Sequence, residues 1–376
     1  MTSLYLHIPF CRRKCPYCDF YSCSDQLHLL DSYPQLLLEQ LRLALAGGWQ
    51  GPFDTVFFGG GTPSLLQPGQ VEELLETVVA TAGLASDAEI SLEANPGTLT
   101  EESLLGYRAA GVNRLSLGIQ SLNDRQLQQL GRQHDRAAAH ASIKAARRAG
   151  FNNLNLDLMF ALPGQSVAEL LDDLQQFLAY APQHLAIYGL SIETDTPFAG
   201  RRFAGAEALP DEDCFAAMYG LIHEQCVTAG FDHYEISNYA RSGQECRHNL
   251  NYWQRGAYLG LGAGAHSFDP RGWGVRHAVP NDLEFFRSQL AAGLNPAELV
   301  EGFTRREAMV ETVYLALRTA AGVDGETFRR QFGTRFEQAF GPAVEALTGR
   351  LGAKAGSWRF SPVDWLVYDH LIGEFF

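Results

Sequence analysis

Long apolar runs are missing. Nowhere in the 376 residues does an uninterrupted apolar stretch reach the roughly 18 positions that a membrane-spanning helix needs. The opening residues, Met-Thr-Ser-Leu-Tyr-Leu-His, lack both the basic start and the apolar stretch of a secretory signal. The expectation is a cytoplasmic chain with no membrane span and with reduced thiols. Positive charge is scarce too: 29 Lys and Arg stand against 43 Asp and Glu, a formal net charge of −14. Phosphate binding needs a basic face, so nucleic acid is not expected as a main partner. Arg147-Arg148 and Arg305-Arg306 read as solvated charge. No Lys-Ser/Thr follows a glycine loop and no Gly-x-Gly-x-x-Gly occurs, which removes the P-loop and the dinucleotide fingerprint. No Cys-x-x-Cys-His occurs, so covalent c-type haem attachment is not indicated.

Cysteine is sparse as well, but it is unevenly placed. Of seven cysteines, Cys11, Cys15 and Cys18 fall in one loop with the spacing CxxxCxxC, straight after the alternating stretch Leu4 to Pro9. Clustered cysteines in a reducing compartment point to metal binding or catalysis rather than to disulfides. Three readings compete. Cys15-Pro16-Tyr17-Cys18 could be a redox pair. A structural zinc would need a fourth ligand, for which Cys23 or His7 would serve. An iron–sulfur cluster held by three cysteines, with one iron left open, accounts for the third cysteine and for the lack of a second CxxC, and it is favoured.

The rest of the chain reads as strand and helix in alternation. Expected strands are Thr55 to Phe58, Glu89 to Leu92, Arg114 to Ile119, Leu154 to Phe160 and Leu185 to Ile192, each followed by a helical stretch. With the first strand this makes six units and implies a parallel sheet. Polar residues sit at many strand ends: Tyr5, Gly59-Gly60-Gly61-Thr62, Glu93, Gln120, Asp157 and Ser191. Barrels build sites from many strand ends at once, whereas a doubly wound sheet uses one crevice. The expected fold is therefore α/β, a partial (β/α)6 TIM-like barrel over residues 1–230. An extension and linker follow over 231–302, with His233 to Tyr239 as a further strand, a polar glycine-rich stretch to Gly274, and the linker from about Pro280 to Gly302. Residues 303–376 are expected to form a smaller, mainly helical, winged-helix-like domain, closed by strands at Trp358 to Phe360 and Trp365 to Val367.

Three glycines after a strand leave bare backbone for a ligand's polar end; the plainer reading is a tight turn. Glu93 and Asp157 follow apolar strand positions, where an unpartnered carboxylate is costly. Either a ligand with hydroxyls or an amine satisfies them, or an internal ion pair with Arg132 does.

CxxxCxxC with Tyr17 before the last cysteine, followed by Gly-Gly-Gly-Thr-Pro, resembles the signature of the radical S-adenosylmethionine (SAM) superfamily. Leu-His-Ile-Pro-Phe-Cys, Leu-Glu-Ala-Asn-Pro-Gly, Leu-Ser-Leu-Gly-Ile-Gln and Asp-Leu-Met-Phe-Ala-Leu-Pro-Gly are similar to the group of oxygen-independent coproporphyrinogen III oxidase and the HemW-type haem chaperones. The resemblance implies a 4Fe-4S cluster on Cys11, Cys15 and Cys18. It implies SAM contacts at Tyr5, Tyr17, Gly60, Gly61, Thr62, Glu93, Gln120, Arg132 and Asp157, with Ser191 a weaker match. Two departures set the chain apart from the oxidase. Phe20 stands where that enzyme has a further cysteine, and the first strand is expected to begin at Leu4, with no long covering segment expected before it. His248-Asn249-Leu250-Asn251-Tyr252-Trp253 fits the HNxxYW motif of HemW-type proteins, which implies haem binding at His248, with Tyr252 and Trp253 as flat apolar faces. His266 is a rival ligand. The expected function is a haem chaperone that passes haem to haem-requiring proteins such as respiratory enzymes, with a homodimer as one expected assembly. The alternative is oxidative decarboxylation of coproporphyrinogen III in porphyrin biosynthesis.

Overall fold

The computed structural model describes residues 1–376, the side chain of Ala206 excepted. Six parallel strands in chain order form the heart of the molecule: β1 (Thr2–Ile8), β2 (Phe53–Gly60), β3 (Leu84–Ala94), β4 (Arg114–Gln120), β5 (Asn153–Phe160) and β6 (His184–Gly189). Between them run the helices α1 (Tyr33–Ala46), α2 (Pro68–Thr81), α3 (Glu101–Ala109), α4 (Asp124–Gln129), α5 (Arg136–Arg148) and α6 (Val167–Ala179). The expected partial barrel is this structure.

Period-two alternation explains why the strands stand as they do. On β5, Leu154, Leu156 and Leu158 are buried on one face, while Asn155 and Asp157 turn to the other. On β4, Leu115, Leu117 and Ile119 alternate with Arg114, Ser116 and Gln120. The apolar face meets the helices and the polar face lines the lumen. Helix starts are fixed locally: the Asp135 carboxylate accepts from Ala138 N at 2.8 Å, and Ser166 with Glu169 closes a capping box on α6.

The sheet continues on both flanks. After α7 (Glu212–Thr228), the stretch expected as one strand from His233 to Tyr239 is instead a tight hairpin, β7 (Asp232–Glu235) and β8 (Asn238–Ala240), whose β8 pairs antiparallel with β6. The glycine-rich stretch holds more structure than its composition suggests. It contains α8 (Arg247–Trp253), β9 (Ala257–Leu261), β10 (His266–Asp269) and β11 (Val275–Ala278). β9 joins the far flank by pairing parallel with β1. These strands are short and bounded by glycines at 256, 262, 264 and 274, which breaks the alternation that makes a strand readable. In the segment from Pro280 to Gly302, α9 (Leu283–Ala291) packs on α1, and β12 (Glu298–Gly302) is the edge strand beside β11.

Beyond lie α10 (Arg305–Ala316), β13 (Val323–Asp324), α11 (Gly325–Phe332), α12 (Phe336–Ala339), α13 (Gly341–Ala346), β14 (Gly352–Lys354), β15 (Ser357–Arg359) and α14 (Tyr368–Ile372). The small sheet is ordered β13-β15-β14. Trp365–Val367, expected as a strand, is a single turn of 3-10 helix that buries Trp365, whose indole N–H donates to Leu317 O at 3.0 Å. The hairpin partner of the 357–359 strand is 352–354 instead.

Candidate functional site

The cysteine loop leaves β1 and is pinned at both ends. Cys23 N donates to Pro9 O at 2.7 Å and Cys11 N donates to Cys23 O at 3.0 Å. Phe10 is fully buried and meets Tyr33 edge-on. The intervening residues are thereby presented at the carboxyl ends of the strands. There Cys11, Cys15 and Cys18 border a cavity of about 160 Å³ together with Glu93, Arg132 and Asp157. All three thiols are free. Burial pushes the Cys18 thiol up, and the neighbouring Cys15 and Cys11 add to it. Two donors face the sulfurs: Thr62 Oγ1 lies 3.4 Å from Cys11 Sγ, and Arg132 Nη1 lies 3.8 Å from Cys15 Sγ. Among the described residues no three His, Cys, Asp or Glu side chains converge on a point suited to one ion. Soft thiolates spread around a cavity, with a guanidinium and a hydroxyl to offset their charge, suit a multi-iron cluster, in which each sulfur takes its own iron.

The glycine triplet has a packing reason beside its place at the cavity. A side-chain carbon on Gly59 would lie 2.8 Å from the Tyr5 ring, one on Gly60 2.7 Å from the His7 ring, and one on Gly61 2.8 Å from Phe10 O. Gly60 also has φ of +107°, a conformation L residues avoid. The triplet lets β2 press against β1 and the cysteine loop, while Gly60, Gly61 and Thr62 still line the cavity.

Gln120 reaches the cavity through a distortion. The register of β4 against β5 shifts between Leu117 and Gln120, and Gln120 has φ of 69°. Such a bulge re-aims a side chain, here at a cost of about 1–2 kcal/mol. The following turn is held by buried Asp173 of α6, which accepts from Ser121 Oγ at 2.5 Å and Leu122 N at 3.1 Å. Tyr188 at the end of β6 donates to Gln120 Oε1 at 2.8 Å and so fixes the amide.

Of the two alternatives for the carboxylates, the internal ion pair with Arg132 does not form. The Arg132 guanidinium donates to Asn95 Oδ1 and to Gly118 O, and neither carboxylate is its partner among the described residues. Asn95 in turn donates to Thr62 Oγ1 at 3.0 Å, closing a chain from Arg132 to Cys11. Burial alone would lower Arg132, but Tyr17 and Cys15 hold it in its charged form.

The two carboxyl groups are left without a cation in contact. Burial raises Glu93 to about 8, with the Asp157 charge adding and the Gly60 N–H and Arg114 opposing. Burial raises Asp157 to about 6, against hydrogen bonds from Asn155 and Ser116. Arg114 is itself buried, with Nε unpartnered in the structure. Perturbed carboxyls in a cleft mark a site for a ligand that carries the missing hydrogen-bond donors or charge.

Of the residues singled out in the sequence, four stand apart from this cavity: Ser191, which lines an adjoining cavity and donates to Glu193 Oε1 at 2.5 Å, His266, Tyr5 and His248. Tyr5 faces a neighbouring cavity, stacked on Phe57 with 6.2 Å between ring centroids, although its phenol still feels the Glu93 charge. His248 is 1% exposed. Its Nδ1 lies 2.7 Å from Thr55 Oγ1 and its Nε2 2.8 Å from Tyr252 Oη. Thr55 donates onward to Ser3, so Nδ1 donates to Thr55 and Nε2 accepts from Tyr252. Burial lowers this imidazole to about 3. The helix that carries it, α8, is started by the buried Glu89 carboxylate, which accepts from Arg247 N and His248 N at 3.2 Å each. Residues missed by sequence reasoning are Asn95, Arg114, Asn155 and Tyr188, all on lumen-facing positions of the strands or just beyond them. The polar half of each alternating strand was the signal that could have found them.

An open α/β barrel with three loop cysteines and a polar rim defines a class, and comparison with known proteins agrees. The model of the radical SAM superfamily matches residues 5–177, and that of the HemN C-terminal domain matches residues 303–359. The solved structure of coproporphyrinogen III oxidase (HemN) from Escherichia coli superposes with a TM-score of 0.85, covering 100% of this chain and 89% of that one at 22% identity. At that identity the likeness speaks for the fold. Heme chaperone HemW of Escherichia coli is 44% identical over 265 residues, 70% of this chain and 69% of that protein. Heme chaperone HemW of Bacillus subtilis is 35% identical over 345 residues, 92% and 90% of the two chains. A mouse protein, radical S-adenosyl methionine domain-containing protein 1, mitochondrial, is 37% identical over 328 residues, 86% and 74%. The chain belongs to the HemW family of the radical SAM superfamily.

Proposed function

We propose that this protein is a haem chaperone that holds a 4Fe-4S cluster and SAM at the barrel mouth, binds haem, and delivers it to haem-requiring proteins, respiratory enzymes among them. The observation that carries this is the three-thiol cavity with its unpaired carboxyls, in a chain similar over 92% of its length to a HemW haem chaperone. Cys11, Cys15 and Cys18 would hold the cluster, which when bound supplies an open iron and an electron for SAM. The residues around it then have definite tasks. Glu93 and Asp157 accept from an amine or ribose hydroxyls, which relieves their burial without a protein cation. Gly60, Gly61 and Thr62 let a polar ligand end lie against backbone. Gln120, fixed by Tyr188, and Arg132, fixed by Asn95, orient what enters. Tyr17 covers the last cysteine. The cavity runs on into a larger one of about 400 Å³ that shares Tyr17, Glu93 and Asp157, so an extended ligand has room toward Ser191 and Asn249.

Phe20 supports the chaperone reading over the oxidase. It is 68% exposed at the mouth and supplies no sulfur where the oxidase has its further cysteine. A cytoplasmic location is part of the proposal; no helix is long and apolar enough to cross a membrane. So is a homodimer. The test is anaerobic reconstitution with iron and sulfide followed by titration with hemin. Saturable binding with a shifted Soret band is expected, and its absence overturns the proposal. Incubation with SAM, reductant and coproporphyrinogen III is expected to give no protoporphyrinogen; its appearance would replace the chaperone by the enzyme.

A further inference from the structure

A second large cavity, of about 460 Å³, lies on the other side of the cysteine loop. It falls within the roughly 300–1,000 Å³ of sites for sizeable organic ligands. Its walls are aromatic: Tyr252 and Trp253 from α8, Tyr258 from β9, Phe268 from β10, and Phe20 and Tyr21 just beyond Cys18. Tyr252 and Tyr258 meet edge-on at 4.6 Å, and Tyr258 stacks on Phe268 at 6.2 Å, so the wall is continuous. Flat apolar walls suit a flat apolar ligand.

Two polar features complete the cavity. His266 opens it at the start of β10; its ring is exposed and makes no hydrogen bond among the described residues. Arg255 and Arg276 line the same space and share the mostly buried carboxylate of Glu311, with Glu301 a more exposed second partner of Arg276. Arg276, the more exposed of the two, can still donate to a ligand carboxylate at its open side, with Arg255 behind it adding positive charge.

We infer that haem is taken up in this cavity, with the imidazole of His266 as the group offered to the iron and Arg276, backed by Arg255, facing the propionates. The inference rests on the haem-chaperone reading and adds the place and the ligand. His248 then acts through its neighbour. Its ring is buried with both nitrogens bonded, and one of those bonds fixes the hydroxyl of Tyr252, whose ring is part of the wall. It is a positioning residue for the cavity. Two arrangements the sequence could not separate, His248 and His266, are thus assigned different work.

The test is hemin titration of the full-length, cluster-reconstituted protein, followed by absorbance and by electron paramagnetic resonance for the axial ligand. H266A is expected to lose the histidine-ligated spectrum and to bind at least about tenfold more weakly, a loss of about 1.4 kcal/mol. H266G with added imidazole is expected to regain the spectrum, which a folding defect would not allow. H248A is expected to keep the histidine-ligated spectrum, since the ligand is untouched, but to bind hemin more weakly, since the Tyr252 wall loses its anchor. A wild-type spectrum and affinity in H266A, or loss of histidine ligation in H248A alone, overturns the assignment while leaving haem binding intact. No binding by the wild type removes the haem reading itself.

Discussion

The cavity at the cysteine loop and the cavity behind Tyr5 share Phe20 as a wall yet are built from opposite materials. The first is charged: Glu93, Asp157 and Arg132 stand half-buried, with neither carboxylate paired to a cation. The second is aromatic, its two arginines already tied to Glu311 and its free imidazole at the rim. In the first, the protein bears an electrostatic cost that a ligand, or protonation of the carboxyls, offsets. In the second, the cost is exposed aromatic surface, which a flat apolar ligand covers at roughly 25 cal/mol per Å². The difference teaches that two adjoining cavities of one chain can be told apart by the kind of surface each leaves unsatisfied, charge in one and aromatic rings in the other; on the proposed function, that contrast would keep cofactor and cargo apart.

The strongest way to break that division is at the sulfurs. Cys15→Ala removes one of the three thiols and the acceptor of Arg132 Nη1. Reconstituted protein is expected to lose the cluster altogether, read as iron content and visible absorbance. Hemin binding should survive, because no wall of the aromatic cavity is touched. Loss of both together would show that the two cavities act as one.

Next in size is His248. Truncation leaves Thr55 Oγ1 and Tyr252 Oη without their buried partner. His248→Ala is expected to destabilise the fold by about 2–4 kcal/mol, measured by denaturant unfolding. A stability equal to wild type would contradict the buried hydrogen-bonded ring.

How much of this was legible in the sequence depends on the range of the signal. The cysteine spacing is local, so the loop could be read outright. The six barrel strands are long enough for their apolar alternation to show. β9 to β11 were hidden, because each has only four or five residues and is set off by neighbouring glycines on at least one side. Asn155, Tyr188 and Arg114 were hidden for another reason: each looks like a polar interruption until the strand's other face is known to be a lumen. Tyr5 and His248 show the limit. Their residue types and places in the chain say that they matter, but not which of two adjacent cavities a ring faces, since that depends on packing between β1, β2 and α8.

The charged cavity can be sharpened by pH. Glu93 and Asp157 have folded values raised to about 8 and about 6, above their ordinary ranges near 4.5 and 3.8. Between roughly pH 4 and pH 8 the folded state therefore binds more protons than the unfolded one, and stability falls as pH rises. Cluster-free, SAM-free protein is expected to lose roughly 1–3 kcal/mol across that window, with water in the open cavity reducing the full linkage value. Glu93→Gln should flatten the profile. A profile that rises with pH and is unaltered by Glu93→Gln would mean the carboxylate is paired after all.

The smallest effect belongs to the shared wall. Phe20 is 68% exposed and follows the last cysteine by two positions, so its ring contributes little to the core. Phe20→Ala is expected to change stability by less than about 0.5 kcal/mol, as for other surface positions. Its consequence should appear only with ligands present. The ring borders both cavities, so its removal opens the partition between them. Hemin added to cluster-loaded Phe20→Ala protein should then perturb the visible spectrum of the cluster more than it does in the wild type. Equal perturbation in the two proteins would show that the partition is made elsewhere, with Tyr5 and its stack on Phe57 as the remaining barrier.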